Sequence, residues 1–324
     1  MSYSYWRAYE KNIKHFFLLT ALATGAIHLA NRFVEITAEM KNILKSENGN
    51  FYDWKNGQIY YTKRGNGSPI LLIHSLDPIS SSYEWCRTVK KLEKNHTVYT
   101  LDLLGCGRSE KPCLTYTNYL YVQLITDFIK NIIKEKTDVV VTSHSISFVV
   151  LAQTMDSGLM KRIIAINPPT IGQFERTPDR YSTIRKIFQS MPIFGTFLYN
   201  IRTHETNIRK ILREEYFYKP QLVSSKMLDA YYEAAHMKQS RGKYLMASID
   251  GHYTDNAIGH ALKKLDIPLY IIESRNIPNA VAIADSYAHL NTKIETSYIS
   301  NAGLVPQLEV PEKLLSIIHM FLSE

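Results

Sequence analysis

The residues with the clearest chemical potential lie in Thr142-Ser143-His144-Ser145-Ile146-Ser147, between the apolar run 139–141 and a helix-like run over 148–155. Ser145 follows a buried strand, and both its second neighbours, Ser143 and Ser147, are small. A tight strand-to-helix turn lifts such a hydroxyl clear of the backbone. The helix that starts there adds N–H groups and a positive dipole end, which favour a developing oxyanion. This is nucleophile chemistry on an acyl carbon, and it has a requirement. A hydroxyl attacks poorly until a base takes its proton, and the base needs a carboxylate to orient it. Ser145 is therefore the candidate nucleophile, and the rest of the chain must supply its partners.

Eleven histidines are available. His74, after the third strand, and His144, next to Ser145, lie nearest in the order of elements and are the possible substitute bases. His236, His252 and His260 fall in a later helical stretch that could reach down over the serine. His289 and His319 belong to helices whose polar sides face water. Glu273 ends a strand and is the possible substitute acid, whereas Asp102 is expected to fix its own Gly-rich turn. No H-x-x-x-H pair, phosphate loop or G-x-G-x-x-G entering a helix is present, and the three cysteines form no C-x-x-C. No metal, cofactor or disulfide framework is expected.

The elements that must position these residues are regular from residue 51 onward. FYDWKNGQIYYTK (51–63) reads as two strands around a type I′ turn at Asn56-Gly57. PILLIHSL (69–76) is continuous in apolar residues, as a strand covered on both faces should be. TVYTLDLLG, TDVVVTS, KRIIAINPP, IPLYIIES and KIETSYIS follow as strands with helices between them. Such alternation predicts a mostly parallel eight-stranded sheet with helices on both faces. Residues 170–265 break the rhythm and read as a helical lid inserted after the sixth strand, above the strand ends where ligands bind in such sheets. Within it Phe188, Met191, Ile193, Phe194, Phe197, Leu198, Tyr231 and Tyr232 are suited to line an apolar pocket, or simply to pack the lid on the sheet.

Length and charge set the wider bounds. A chain of 324 residues with 45% hydrophobic content can bury a sizeable core. The net charge of +8 is uneven: residues 1–50 hold six Lys/Arg against four Asp/Glu, and 170–265 hold fifteen against nine, so +2 and +6 make up the whole excess. No nucleic-acid motif accompanies it, and no nucleic-acid partner is expected. FFLLTALATGAIHLA (16–30) continues through Phe33 and Val34 and approaches the length that crosses a bilayer. It reads as an uncleaved membrane anchor, a cleaved signal or an amphipathic helix, and the anchor is the expectation carried forward. Basic residues balance on either side of it, so orientation is not specified. The expected organisation is an N-terminal helix over 1–48, membrane association through 16–34 of an otherwise cytoplasmic body, and one domain over 49–324.

With its elements in this order, the stretch 51–324 resembles the α/β-hydrolase fold. LLIHS (71–75), SSYEW (81–85), DLLGCGRSEKP (102–112), INPP (166–169) and IPLYIIE (267–273) are similar to segments of its esterase, haloalkane dehalogenase and epoxide hydrolase branches. The resemblance implies that Ser145 occupies the nucleophile elbow and that the N–H groups of Ser75 and Ile146 form the oxyanion hole. It also implies an Asp after the seventh strand and a His after the eighth. Asn276 and Leu304 stand at those two positions. Leucine accepts no proton at any pH, and loss of the base from a serine triad costs on the order of 10⁶ in turnover. Two readings follow: a catalytically weak or silent member binding a small apolar ligand, or an ester or thioester hydrolase using Ser145 with an unconventional base.

Overall fold

The computed structural model describes residues 3–46 and 48–323, with side chains from residue 12 onward. Met1, Ser2 and Glu47 of the N-terminal segment and Glu324 of the domain lie outside the described residues. The chain opens with α1 (Tyr3–Glu39), longer at both ends than the apolar run that announces it. β1 (Gly49–Trp54) and β2 (Gly57–Arg64) pair antiparallel. The strands β3 (Ser68–Ile73), β4 (His96–Leu101), β5 (Thr137–Thr142) and β6 (Met160–Ile166) alternate with α2 (Val89–Leu92), α3 (Asn118–Phe128) and α4 (Ile146–Met155). Six helices follow: α5 (Ser182–Ser190), α6 (Phe194–Arg202), α7 (Glu205–Ile211), α8 (Ser225–Ser240), α9 (Lys243–Asp250) and α10 (Gly259–Lys264). The pattern closes with β7 (Leu269–Ser274), α11 (Ala280–Ala288), β8 (Ile294–Ile299), α12 (Pro306–Glu309) and α13 (Pro311–Ser323).

The eight strands form one sheet in the order β1-β2-β4-β3-β5-β6-β7-β8, parallel from β4 through β8. This is the α/β-hydrolase fold, and its strand composition follows from two-sided burial. Leu71, Ile73, Val139, Val141, Ile163 and Ile271 enter one apolar cluster under α3, α4 and α11. Their neighbours Ile70, Leu72, Val140, Ile164 and Ile272 enter a second cluster under α13. Alternate residues point to opposite faces, so a strand covered on both must be apolar throughout.

The hairpin differs in its turn. Trp54 pairs with Gly57, so the loop is Lys55-Asn56 rather than Asn56-Gly57. Neither loop residue is left-handed, and Gly57 alone carries a positive φ, of 136°. A Cβ there would come within 2.6 Å of Glu110, so glycine serves a close approach in the first strand position instead of a type I′ turn.

The insert α5–α10 has its own apolar core. Ile208, Leu212, Met227 and Tyr231 pack against Ile79 and Val305, of the loops at the ends of the strands, and against Leu308 of α12. Tyr231 is therefore packing for the insert. Phe188, Met191 and Phe194, expected to line a pocket, are exposed. On α5 the side chains turned to the cavity are Arg185 and Gln189, which leaves Phe188 and Met191 outside.

Candidate functional site

β5 ends extended at Thr142, Ser143–Ser145 form one 3-10 turn, and α4 begins at Ile146. The left-handed residue of this turn is Ser143, with φ of 51°. Ser145 is right-handed, at φ −65°. Ser143 is partly exposed, while Ser145 is 0% exposed. The expectation set Ser145 at the apex; the structure bends the chain two residues earlier. The physical reason is that serines alternate at 143, 145 and 147, so spacing alone does not choose which one the turn lifts.

The buried Ser145 Oγ donates to the His74 carbonyl at 2.8 Å. That bond ties the turn after β5 to the end of β3. The two N–H groups expected to form an oxyanion hole are also engaged. Ser75 N–H points to the Glu84 carboxylate at 3.4 Å, and Ile146 N–H closes the turn on the Ser143 and His144 carbonyls. Glu84 was not singled out from the sequence; a carboxylate between Tyr83 and Trp85 in an aromatic segment was the available signal. It is fully buried, and burial pushes its carboxyl up to about 7 despite hydrogen bonds from Ser75 N–H and Gln307 Nε2.

His74 is no base for Ser145. Leu103 N–H donates to its Nε2 at 3.0 Å, so the ring proton sits on Nδ1, which donates to the Ser75 carbonyl at 2.7 Å. Both nitrogens are thus used to join the loops after β3 and β4, and burial lowers the pKa to about 4. His144 opens onto solvent, with Nδ1 3.2 Å from Ser143 Oγ and its ring edge-on to Phe174. The surrounding protein lowers its pKa, and the Asp255 carboxylate opposes that shift.

The residues expected at the acid and base positions hold loops together. Asn276 accepts from Asn301 N–H at 2.8 Å. The Leu304 carbonyl accepts from Asn167 Nδ2 at 3.1 Å. Asn167, unremarked in the sequence, is left-handed at φ 46° and also donates to the Gly303 carbonyl and Ser274 Oγ, while accepting from Ser274 N–H. It stitches the ends of β6 and β7 to the loop after β8. Glu273 shares the strand face of Leu269 and Ile271, and burial alone raises it to about 8. Asp102 accepts from Ser82 N–H, Arg108 N–H and the Arg108 guanidinium, all within 2.9 Å, and so holds the Gly105–Gly107 turn. Burial would raise its carboxyl, but the Arg108 charge and these donors keep it well below the ordinary range.

One cavity of about 470 Å³ lies beside the serine turn, between the insert and the strand ends. Leu76, His144 and Ser147 form its floor, and Arg176, Arg185 and His252 come from the insert. Asp77, Asp250 and Asp255 also face it, beside the apolar Phe174 and Ile249, so charged and apolar groups share the wall. His252 Nδ1 lies 3.1 Å from the Asp255 carboxylate, an imidazole–carboxylate pair contributed wholly by the insert. His236 lies elsewhere: Tyr232 and Thr203 engage both of its nitrogens inside the insert. His260 is exposed on α10. Among the described residues no group of three or more His, Cys, Asp or Glu is arranged to hold a metal ion.

Comparison with known proteins agrees with this geometry at the level of fold. Residues 70–316 match the Alpha/beta hydrolase family. A 2-hydroxy-6-oxo-6-(2'-aminophenyl)hexa-2,4-dienoic acid hydrolase of Metapseudomonas resinovorans is 32% identical over 71 residues, 22% of this chain and 24% of that enzyme's length. The chain thus spans about a quarter of that curated relative. The solved epoxide hydrolase CorEH superposes with a TM-score of 0.69 at 17% identity, covering 85% of this chain and 98% of that one. A membrane phospholipase A described as a bacterial virulence factor superposes with a TM-score of 0.68 at 17% identity, covering 97% and 98%.

Proposed function

This chain belongs to the alpha/beta hydrolase family, and from that premise we propose that it is a ligand-binding member in which Ser145 performs no chemistry. One observation carries the reading: the Ser145 hydroxyl is sealed from solvent and spent on the His74 carbonyl. A nucleophile must reach its substrate and hand its proton to a base. The loops that would bring the base and acid present Leu304 and Asn276 instead. The ligand occupies the cavity between insert and sheet, the place where this architecture receives small molecules. Its wall of arginine, histidine and aspartate suits a polar or amphiphilic molecule with an ester-like or anionic head. This replaces the purely apolar ligand that the aromatic residues of the insert suggested.

α1 is an anchor in this reading. The segment Asn12–Glu39 is long enough to cross a bilayer, and an 18-residue window within it has a mean hydropathy of 1.4 and no buried share. The superposition covering 97% of the chain extends into α1, which the 85% superposition does not require.

A second reading has its own observation. Ser143 holds the left-handed position of the turn and has an imidazole nitrogen 3.2 Å from its hydroxyl. Ser143 with His144 as base, supported by Asp255, would make an ester or thioester hydrolase.

A fluorophosphonate probe applied to the full-length protein separates the readings. The expected result is no labelling of wild type under conditions where a thermal transition shows it folded. Labelling abolished by Ser143→Ala and kept by Ser145→Ala would establish the second reading. Labelling abolished only by Ser145→Ala would overturn both.

A further inference from the structure

α5 carries an apolar stripe on the outside of the molecule. Ile184, Ile187 and Phe188, with Met191 just past the helix end, are 65%, 61%, 52% and 41% exposed, at positions i, i+3, i+4 and i+7. That spacing places all four on one side of a helix. The opposite side presents Arg185 and Gln189 to the cavity. A helix with this period ordinarily turns its apolar stripe inward; here the stripe faces out.

Three features identify what covers it. First, the stripe adjoins the anchor. Asn31 of α1 donates to the Ile193 carbonyl at 3.1 Å and accepts from Asn200 Nδ2 at 3.0 Å, so α1 is fixed at the corner between α5 and α6. Second, α1 beyond that corner is apolar and exposed from Phe16 to Leu29. Third, the exposed Arg180 precedes the stripe at the N-terminal end of α5, and the insert as a whole carries fifteen basic against nine acidic residues. Exposed apolar side chains on a basic insert match the boundary between acyl chains and anionic headgroups.

We propose that α5 is a second membrane contact, lying in the surface of an anionic bilayer beside α1, so that the cavity wall it forms stands at the lipid headgroups. The proposal rests on the anchor reading of α1 and adds to it. An amphiphilic ligand then enters past Arg185 without crossing bulk water.

The test uses the full chain with Cys86 and Cys113 changed to serine, leaving only the buried Cys106. An environment-sensitive fluorophore is placed at Phe188→Cys or, as control, at the exposed Glu135→Cys. Flotation with phosphatidylcholine–phosphatidylglycerol vesicles reports α1, and quenching by brominated acyl chains reports α5. The expected result is flotation of both proteins, with several-fold stronger quenching at 188 than at 135, weakened when phosphatidylglycerol is omitted. Flotation with a water-like, unquenched label at 188 would overturn the proposal while sparing the anchor. Failure to float would overturn both. A spectral shift that needs no lipid and grows with protein concentration would assign the stripe to a second copy of the chain, and so overturn it too.

Discussion

At Ser145 a hydroxyl that meets neither water nor base has one remaining use, to satisfy the carbonyl that ends β3. Ser145→Ala removes the donor and leaves that carbonyl unpartnered in the core, a loss of about 1 kcal/mol measurable by denaturant unfolding. Ser143→Ala, partly exposed and engaged only with His144, should change stability by less than about 0.5 kcal/mol in the same assay. The buried carboxyls set a pH dependence. Glu84 and Glu273, held up to about 7 and about 8, stay protonated in the folded chain after the unfolded chain has ionised. The folded state then binds more protons, so stability falls as pH rises. His74 and His236, lowered to about 4, act in the opposite sense and only below their ordinary value of 6.5. The two pairs offset one another from about pH 5 to 6.5, and the acids alone act above it. Stability should be nearly level over the first range and decline toward pH 8, by about 1.4 kcal/mol per pH unit for each group still protonated in the folded state. The doubly substituted Glu84→Gln, Glu273→Gln chain should lose that decline.

Among the elements, the loops at the carboxyl ends of the strands do the joining, and polar side chains hold them. Asn167 ends β6 in a left-handed conformation that asparagine tolerates well, and its amide satisfies groups from β7 and the loop after β8. Asn167→Ala orphans several buried groups at once and should cost about 3 kcal/mol, read as a lower denaturation midpoint with unchanged slope. The turn after β4 depends in the same way on one carboxylate. Arg108 pairs with Asp102 and also donates to the Leu44 carbonyl at 2.8 Å, linking that turn to the segment that follows α1. Asp102→Ala leaves a mostly buried guanidinium without its partner, a loss of about 3–5 kcal/mol. Strand identities were legible because two-sided burial writes itself as apolar runs. Loop-holding residues were not, because an asparagine or aspartate between elements has the same appearance whether it points to water or to three carbonyls.

For the molecule as a whole, α1 belongs partly to the body and partly to its surroundings. Its residues from Asn12 to Leu29 are mostly exposed, whereas Asn31 and Ala38 are buried and Leu44 packs with Ala230 and Ala234 of α8. Glu233 of α8 accepts from the Ile43 and Leu44 N–H groups. Deleting residues 1–29 should abolish vesicle flotation and leave the thermal transition where it is. Deleting 1–45 should abolish flotation and also lower the transition by several degrees, since buried apolar area and the Arg108 and Glu233 contacts go with it. A transition unmoved by the longer deletion would show that α1 and the segment after it contribute nothing to the body.

The order of strands and helices, the helical insert, the apolar N-terminal run and the place of the serine turn were all determined by sequence, because each is a local pattern of period, propensity or composition. The identities of Asn276 and Leu304 were equally plain. Tertiary structure alone decided which serine bends the chain, since three alternate serines share one local pattern. It alone set Ser145 on the His74 carbonyl and both expected oxyanion donors on other acceptors. It also brought His252 and Asp255 from the insert to the cavity of His144, and turned the apolar side of α5 outward. These are contacts between segments far apart in the chain. What a side chain faces across such a distance depends on how the layers pack, and no local pattern records it.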